Sequence, residues 1–209
     1  MTRTPPADRR TRGSTRTKML VSAAEVLRER GAAGVTIDEV LARSGAPRGS
    51  VYHHFPEGRS QILREALDYA GYEITTSIDE AAGESAGVLL RRFVQLWENA
   101  LLTSDYTAGC PVLAAAVGSG EDEQQLTAVA GEIFGRWREA AKQAYLREGF
   151  ESAEASALAD TTLSAMEGAV VLCRSVRSLQ PLHDVAAQME FLIKAKEFVT
   201  KFGVPTVKA

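Results

Sequence analysis

The sequence predicts an all-α protein of nine helices, with a helix-turn-helix near its N-terminus and a larger helical region after it. Three observations lead to this prediction. Apolar residues recur at helical spacing along most of the chain, no segment alternates as a strand does, and Gly, Ser and Pro clusters separate the periodic segments. The 209 residues are 45% hydrophobic and 24% charged, which is an ordinary globular composition.

Two helices are predicted at the start of the chain. The first spans residues 14–30 and stops at Gly31, because glycine tolerates the backbone of a helix end. The second begins at Thr36, which together with Glu39 has the spacing of a capping box. It ends at residues 45–47, Gly-Ala-Pro, where glycine suits the turn and proline suits the first position of a new helix.

A third helix, residues 48–55, follows directly. Val51 and Phe55 are four residues apart and form its predicted buried pair, and Pro56 cannot prolong the helix. Two short helices joined by a tight turn form a helix-turn-helix, whose second helix fits the major groove of DNA. Packing units that never contact DNA also have this geometry, so the shape alone leaves both interpretations open.

Charge is divided unevenly along the chain, whose formal net charge is −3. Residues 1–64 carry twelve basic and six acidic side chains, whereas residues 65–209 carry twelve and twenty-one. This division favours a polyanion as the partner of the N-terminal end, since phosphate neutralisation supplies most non-specific affinity for DNA. Residues 1–14 are predicted to be a flexible basic arm. The alternative is that their arginines form a solvated tail without a partner.

The segment 35–56, VTIDEVLARSGAPRGSVYHHFP, resembles the DNA-binding signature of the TetR-type repressor family. Its most distinctive part is Tyr-His-His-Phe-Pro after a Gly-Ser pair, and the resemblance extends over about residues 15–65. Gly58-Arg59 departs from the commoner family form, which has a lysine three residues after the phenylalanine. This pair and Gly109-Cys110-Pro111 resemble the LmrA/YxaF-like multidrug-regulator branch.

The resemblance implies that residues 15–60 form a domain that binds a double-stranded DNA operator. Arg48 is the leading candidate for a base contact, because its guanidinium can bond guanine O6 and N7 together, which is worth about 1–3 kcal/mol of discrimination. A phosphate contact from Arg48 would instead add uniform affinity, and the sequence leaves both roles open. The resemblance assigns phosphate contacts to Thr36, Tyr52, His53 and Arg59, and a groove-facing position to Ala46, Pro47, Arg48, Gly49 and Ser50.

Residues 61–209 are expected to form a ligand-binding and dimerisation domain. The last two predicted helices, residues 152–178 and 181–202, carry more apolar residues than one buried stripe needs. Paired with the same helices of a second copy, they would form a four-helix bundle about a twofold axis. Alternatively, these residues line the core of a monomer. The resemblance supports the homodimer and a near-palindromic operator.

The aromatic residues of the middle helices suit either an apolar pocket or a core. The resemblance implies a small-molecule effector, and the absence of a visible buried run of like charge favours an apolar or amphipathic one. The predicted function is a repressor that this effector releases from its operator; the alternative is a DNA-binding architectural or protein-interaction module without effector control. The predicted pocket residues are Phe93, Trp97, Tyr106, Cys110, Phe134, Trp137 and Met166.

Other classes of protein find little support in the sequence. No phosphate-binding glycine loop, nucleophile elbow or metal pair is visible, so an enzyme and a cofactor are not expected. Cys110 and Cys173 are too few for a zinc site, and the adjacent His53 and His54 point about 100° apart on a helix, so no metal is expected either. No apolar stretch approaches the roughly 20 residues of a membrane span, which predicts a cytoplasmic protein without a membrane partner.

Overall fold

The structure is a computed structural model, which describes residues 9–118 and 124–203. Within these residues it contains nine α-helices and no strand, which confirms the predicted all-α class. The predicted beginning of the seventh helix, at Ser119, lies outside the described residues. The helices are α1 (Arg9–Gly34), α2 (Ile37–Ser44), α3 (Val51–His54), α4 (Arg59–Glu84), α5 (Ala86–Thr103), α6 (Pro111–Ala116), α7 (Gln124–Arg147), α8 (Ser152–Val176) and α9 (Gln180–Phe202), and a 3₁₀ helix, Arg48–Ser50, precedes α3.

The contacts between residues divide the chain into two compact units. The first comprises the chain up to Tyr72 together with Pro111–Gly131, and the second comprises Glu73–Cys110 and the chain from Glu132 onward. This division differs from the boundary at residues 60 and 61 that the sequence predicts. The reason is that α6 packs against α1, a contact between distant segments that local sequence patterns do not reveal.

The first helix also differs from its prediction at both ends. It begins at Arg9, so residues 9–14 of the predicted flexible arm are helical, and residues 1–8 of that arm lie outside the described residues. Gly31 has a positive φ of 70°, which interrupts the regular helix where the stop is predicted. The helical path nevertheless resumes and ends only at Gly34.

The core of the first unit combines apolar side chains of α1, α2 and α3. Ion pairs at its rim join α1 to α2: the Arg43 guanidinium donates to the Glu29 carboxylate at 3.0 and 2.7 Å and to Glu39 Oε1 at 2.8 Å. The hydrogen bond from Arg43 holds the pKa of Glu29 below its usual value, and the same carboxylates raise the pKa of Arg43. These bonds fix α2 on α1 and thereby set the position of the turn that follows.

The core of the second unit lies among α5, α8 and α9, which pack against one another. Two polar pairs lie inside this core: Trp137 Nε1 donates to Thr75 Oγ1 at 2.7 Å, and the Tyr145 and Thr162 hydroxyls lie 2.7 Å apart. Burial raises the pKa of the Tyr145 phenol. Such pairing is what a buried polar group normally requires, because leaving one unpaired costs about 1–3 kcal/mol.

Candidate DNA-binding and ligand sites

The short helix α3 is held from one side only. Val51 and Phe55 are both fully buried, which confirms the predicted apolar pair, whereas Tyr52 on the opposite side is 65% exposed. His53 is also exposed. Because one face of this short helix is anchored and the other is open, its polar side chains are available to a partner.

The turn before α3 has the geometry that its sequence predicts. Gly45 has a φ of 64° and closes α2 with a bond from its amide to the Leu41 carbonyl, a conformation that costs glycine little. Ser50 Oγ donates to the Pro47 carbonyl at 2.6 Å and fastens the 3₁₀ turn. The predicted groove-facing residues all lie at this surface: Pro47, Arg48 and Gly49 are exposed, and Ala46 and Ser50 are half-buried.

Arg48 is oriented by an acidic neighbour that the sequence analysis did not single out. Its Nη1 lies 3.2 Å from Asp38 Oδ1, and the two side chains are 81% and 73% exposed. A pair this exposed contributes less than about 1 kcal/mol to stability, so its effect is on the direction of the guanidinium. The sequence contained a signal, because Asp38 is an acidic residue in the first turn of α2, the helix directly before the predicted turn and Arg48.

Four of the predicted DNA-contacting residues line one depression of the surface. Its volume is about 310 Å³, and Thr36, Arg48, Tyr52 and Arg59 line it together with Ile37 and Asp38. Thr36 Oγ1 also accepts a hydrogen bond from the Glu39 amide at 3.1 Å, so it caps α2 as predicted. The predicted reciprocal half of the capping box is replaced, because the Glu39 carboxylate accepts from Arg43.

Arg59 has a structural use in addition to its predicted one. Its Nε donates to the Val35 carbonyl at 2.8 Å and its Nη2 to the Ala32 carbonyl at 2.7 Å. These bonds hold the connection between α1 and α2, and the phosphate contact of Arg59 stays a prediction.

The His53 and His54 rings lie 5.1 Å apart, and within the described chain no group of three or more His, Cys, Asp or Glu residues is arranged to hold a metal.

The predicted pocket residues of the second unit lie mostly in its interior. Phe134 is half-buried and meets the Trp137 ring edge to face at a centroid distance of 5.3 Å. Tyr106 is half-buried as well and lines a surface groove. Their part in a ligand site stays a prediction. The remaining five are buried: Phe93, Trp97, Cys110, Trp137 and Met166.

Glu167 is a buried charged residue that the sequence analysis missed. It is 6% exposed, and burial raises its pKa to about 7, against a smaller opposing effect of a hydrogen bond from Cys110. The sequence contained a signal, because Glu167 lies four residues after Leu163 and three before Val170, at the spacing of the apolar stripe of α8. Because the apolar stripe of α8 faces the core, a carboxylate at this spacing is buried with it.

A second surface of this unit is apolar and exposed. It lies on α8 and α9, the two helices predicted to form a dimer interface, whose apolar residues are divided between the core and the surface. Met166, Val170 and Cys173 pack inside the core, whereas Val176 and Leu192 are exposed. We call this surface the α8–α9 face; it comprises Leu172, Val176, Phe191, Leu192, Phe198 and Phe202, with exposed fractions from 40% to 66%.

A helix-turn-helix whose second helix is anchored by one apolar pair and presents polar side chains on its open face has the form of a DNA-binding motif. Residues 19–66 match the family described as bacterial regulatory proteins of the tetR family, and residues 86–188 match the C-terminal domain of LmrA/YxaF-like transcriptional regulators. The chain belongs to the TetR family of transcriptional regulators, as the sequence analysis predicts. Proteins of this family are DNA-binding regulators and not enzymes.

Similar proteins cover nearly the whole chain. The HTH-type transcriptional regulator Rv0196 of Mycobacterium tuberculosis is 40% identical over 87% of this chain and 95% of its own length. YxaF and LmrA of Bacillus subtilis are 26% and 22% identical, over 88% and 87% of this chain and 98% of each relative.

Solved structures show the same fold. A TetR regulatory protein from Rhodobacter sphaeroides superposes with a TM-score of 0.74 at 20% identity, over 84% of this chain and 96% of that one. A TetR transcriptional regulator from Chloroflexus aurantiacus gives a TM-score of 0.73 at 24% identity, over 92% and 98%. Among the described residues, no helix has the length and hydrophobicity needed to cross a membrane.

Proposed function

We propose that this TetR-family regulator is a homodimeric repressor of the cytoplasm that binds a near-palindromic operator and is released by a small apolar or amphipathic effector. The observation that carries the DNA half of the proposal is the exposed position of Arg48 beside Tyr52, above the buried pair Val51 and Phe55. An arginine so placed can bond two acceptors of one guanine in the major groove.

The α8–α9 face supports a dimer. Exposed apolar patches of this kind on a folded unit mark interaction surfaces, and Gly168 lies on the same side of α8, one turn before Leu172. A Cβ atom added at Gly168 would meet no atom within 4 Å, so this position leaves room for another helix to approach. A twofold pair of helix-turn-helix units then fits half-sites roughly 34–36 Å apart.

Control by an effector requires that the ligand prefer the state that does not bind DNA, because a ligand with equal affinity for both states shifts nothing. The second unit is where we place this effector, since its interior holds the aromatic residues predicted for a pocket.

The second candidate function, a DNA-binding architectural or protein-interaction module without effector control, has the same exposed Arg48 in its favour and predicts strong salt dependence with little sequence preference.

The test is selection of bound duplexes from a random DNA pool by the full chain. The proposal predicts recovery of an inverted repeat. Arg48→Ala then reduces affinity for the selected duplex by about ten- to a hundredfold and relaxes one position in each half-site. Arg92→Ala, which removes an exposed arginine of the second unit, serves as the matched control and leaves both quantities unchanged.

Two results would contradict the proposal. A selected sequence without inverted symmetry would argue against the dimer, and an Arg48→Ala protein with unchanged preference would argue against the base contact. The selected duplex also serves to screen compounds for release. Recovery of no preferred sequence, with affinity that depends on salt alone, would favour the second candidate function.

A further inference from the structure

The carboxyl group of Glu167 lies in the interior of the second unit without a normal hydrogen bond. Neither of its oxygens accepts a hydrogen bond from a nitrogen or hydroxyl donor among the residues that the structure describes. The thiol of Cys110 is near enough to lower the pKa of Glu167, but a thiol is a weak donor and burial has the larger, opposite effect. The Trp137–Thr75 and Tyr145–Thr162 pairs of this core are satisfied, whereas the Glu167 carboxyl is not.

Among the residues that the structure describes, no cation compensates this carboxylate. The groups that influence its pKa include no arginine, lysine or histidine. Burying an unpaired ion costs several kcal/mol, which is why buried charges in proteins are normally paired or bound to a ligand. A carboxylate kept at such a position, with no cation beside it in the described part of the chain, points to a positively charged partner from outside the chain.

The surroundings of Glu167 on α8 are apolar. Leu163, Met166 and Val170 are buried on the same stripe of the helix. Helix α5 packs against α8 and carries Trp97, whose indole N–H is also buried without a hydrogen-bond partner among the described residues. An apolar environment around one acceptor group is the composition of a site for an amphipathic molecule.

A surface groove lies along the same side of α8. Its volume is about 340 Å³, and its lining includes Tyr106, Val171 and Arg174. Val171 and Arg174 follow Glu167 by four and seven residues, so the three share one face of the helix. Glu167 therefore lies one helical turn beyond the groove, toward the N-terminus of α8.

One loop, residues 104–110, runs along this face of α8. Arg174 Nη2 donates to the Thr107 carbonyl at 2.7 Å, and Arg177 Nη2 donates to Asp105 Oδ1 at 2.7 Å. At its far end the loop brings Cys110 to Glu167. Asp105 and Tyr106 have positive φ angles of 50° and 59°, a conformation that is strained for residues other than glycine. The hydrogen bonds from Arg174 and Arg177 therefore hold this loop on α8 although its backbone is strained.

We propose that Glu167 is the anionic anchor of an effector site for an amphipathic organic amine, with the ammonium group bound at the carboxylate and the apolar part along α8 beside the loop of residues 104–110. This inference rests on the proposed function, and it narrows the effector from an apolar or amphipathic molecule to a lipophilic cation. The highly charged ligands disfavoured by the sequence remain disfavoured, because the site offers a single carboxylate.

The test uses three probes that share one apolar tail: 4-phenylbutylamine, 4-phenylbutanol and 4-phenylbutyrate. Each is titrated by calorimetry into the full chain without DNA, at about pH 8, where a carboxyl of this pKa is ionised. We expect the amine to bind at least about tenfold more tightly than the alcohol, and the carboxylate to bind least.

Three variants assign this preference to Glu167. Glu167→Gln keeps the size of the side chain, and it brings the amine to within about twofold of the alcohol while the affinity for the alcohol is retained. Glu167→Asp keeps the charge and the preference. Glu132→Gln, at an exposed position of α7, is the matched control and behaves as the unchanged protein.

Equal affinity for amine and alcohol, absence of amine binding, or a preference that persists in Glu167→Gln would overturn the assignment. Should Glu167→Gln fail to fold, the comparison of probes on the unchanged chain and on Glu167→Asp still decides it. Release of the selected duplex by the amine is measured separately. Glu167-dependent binding without release supports the site and contradicts effector control, whereas loss of DNA binding altogether bears on the proposed function alone.

Discussion

The two units of the chain treat their charged groups in opposite ways. In the first unit, Arg48 and Asp38 are exposed to water, where their mutual attraction is weak, so Arg48 can exchange Asp38 for DNA. In the second unit, Glu167 is removed from water and has no cation beside it among the described residues. The difference shows two ways in which a charged side chain can serve recognition. Arg48 can bind DNA because it is exposed, whereas Glu167 can bind a cationic ligand because it is buried without a strong hydrogen bond.

The largest expected effect comes from placing a charge on the apolar surface of the second unit. Leu172→Glu puts a carboxylate on the α8–α9 face, where a second copy would have to bury it. We expect a monomer by analytical ultracentrifugation and a loss of about two to three orders of magnitude in affinity for the selected operator.

Leu102→Glu is the matched control, because Leu102 is as exposed, at 56%, but lies on α5 outside this face. It leaves the mass in solution and the operator affinity unchanged. A Leu172→Glu protein that stays dimeric would place the dimer interface elsewhere on the chain.

Removing the buried charge tests the second half of the comparison. The folded-state pKa of Glu167 is raised from 4.5 to about 7, so this group favours the folded state at low pH and progressively loses that contribution as the pH rises from about 4.5 to 7. Glu167→Gln abolishes this loss. We expect the variant to gain about 3 kcal/mol relative to the unchanged protein between these pH values, and the difference to stay constant above pH 7.

Denaturant unfolding at a series of pH values measures this difference. Subtracting one protein from the other removes the contributions of the other carboxylates, such as Glu29, whose lowered pKa acts in the opposite direction. Glu132→Gln should show no such trend. A difference between Glu167→Gln and the unchanged protein that is independent of pH would mean that Glu167 is hydrated or paired in solution.

The same contrast explains how far the sequence could predict this molecule. Local patterns predicted the turn at Gly45, the buried pair Val51 and Phe55, and the surface position of Arg48, because each depends on neighbours within a few residues. The packing of α6 on α1 joins segments about ninety residues apart, and no local pattern in either segment predicts this contact. Glu167 lies between these cases, since its position on the apolar stripe was visible but its missing partner was not.

Arg59 sharpens the comparison within the first unit, because its guanidinium is turned inward to the Val35 and Ala32 carbonyls. Arg59→Ala removes two charge-assisted bonds and should lower the free energy of unfolding by about 2 kcal/mol, as measured by urea unfolding. Arg64→Ala, which loses only an exposed pair with Glu57, should change it by less than about 0.5 kcal/mol. Unchanged stability with a uniform loss of DNA affinity would show that phosphate binding is the whole role of Arg59.

The smallest expected effect concerns Asp38, which faces both Arg48 and the surface where DNA phosphates would lie. Asp38→Asn removes one charge that repels phosphate, so affinity for a scrambled duplex should rise about threefold at fixed salt. The guanidinium of Arg48 also loses its fixed direction and becomes free to bond phosphate instead of guanine. Affinity for the selected operator should therefore rise less, and the ratio of the two affinities should fall. Competition titrations measure both, with Asp79→Asn on the exposed side of α4 as the control. An equal gain for both duplexes would show that Asp38 repels phosphate without orienting Arg48.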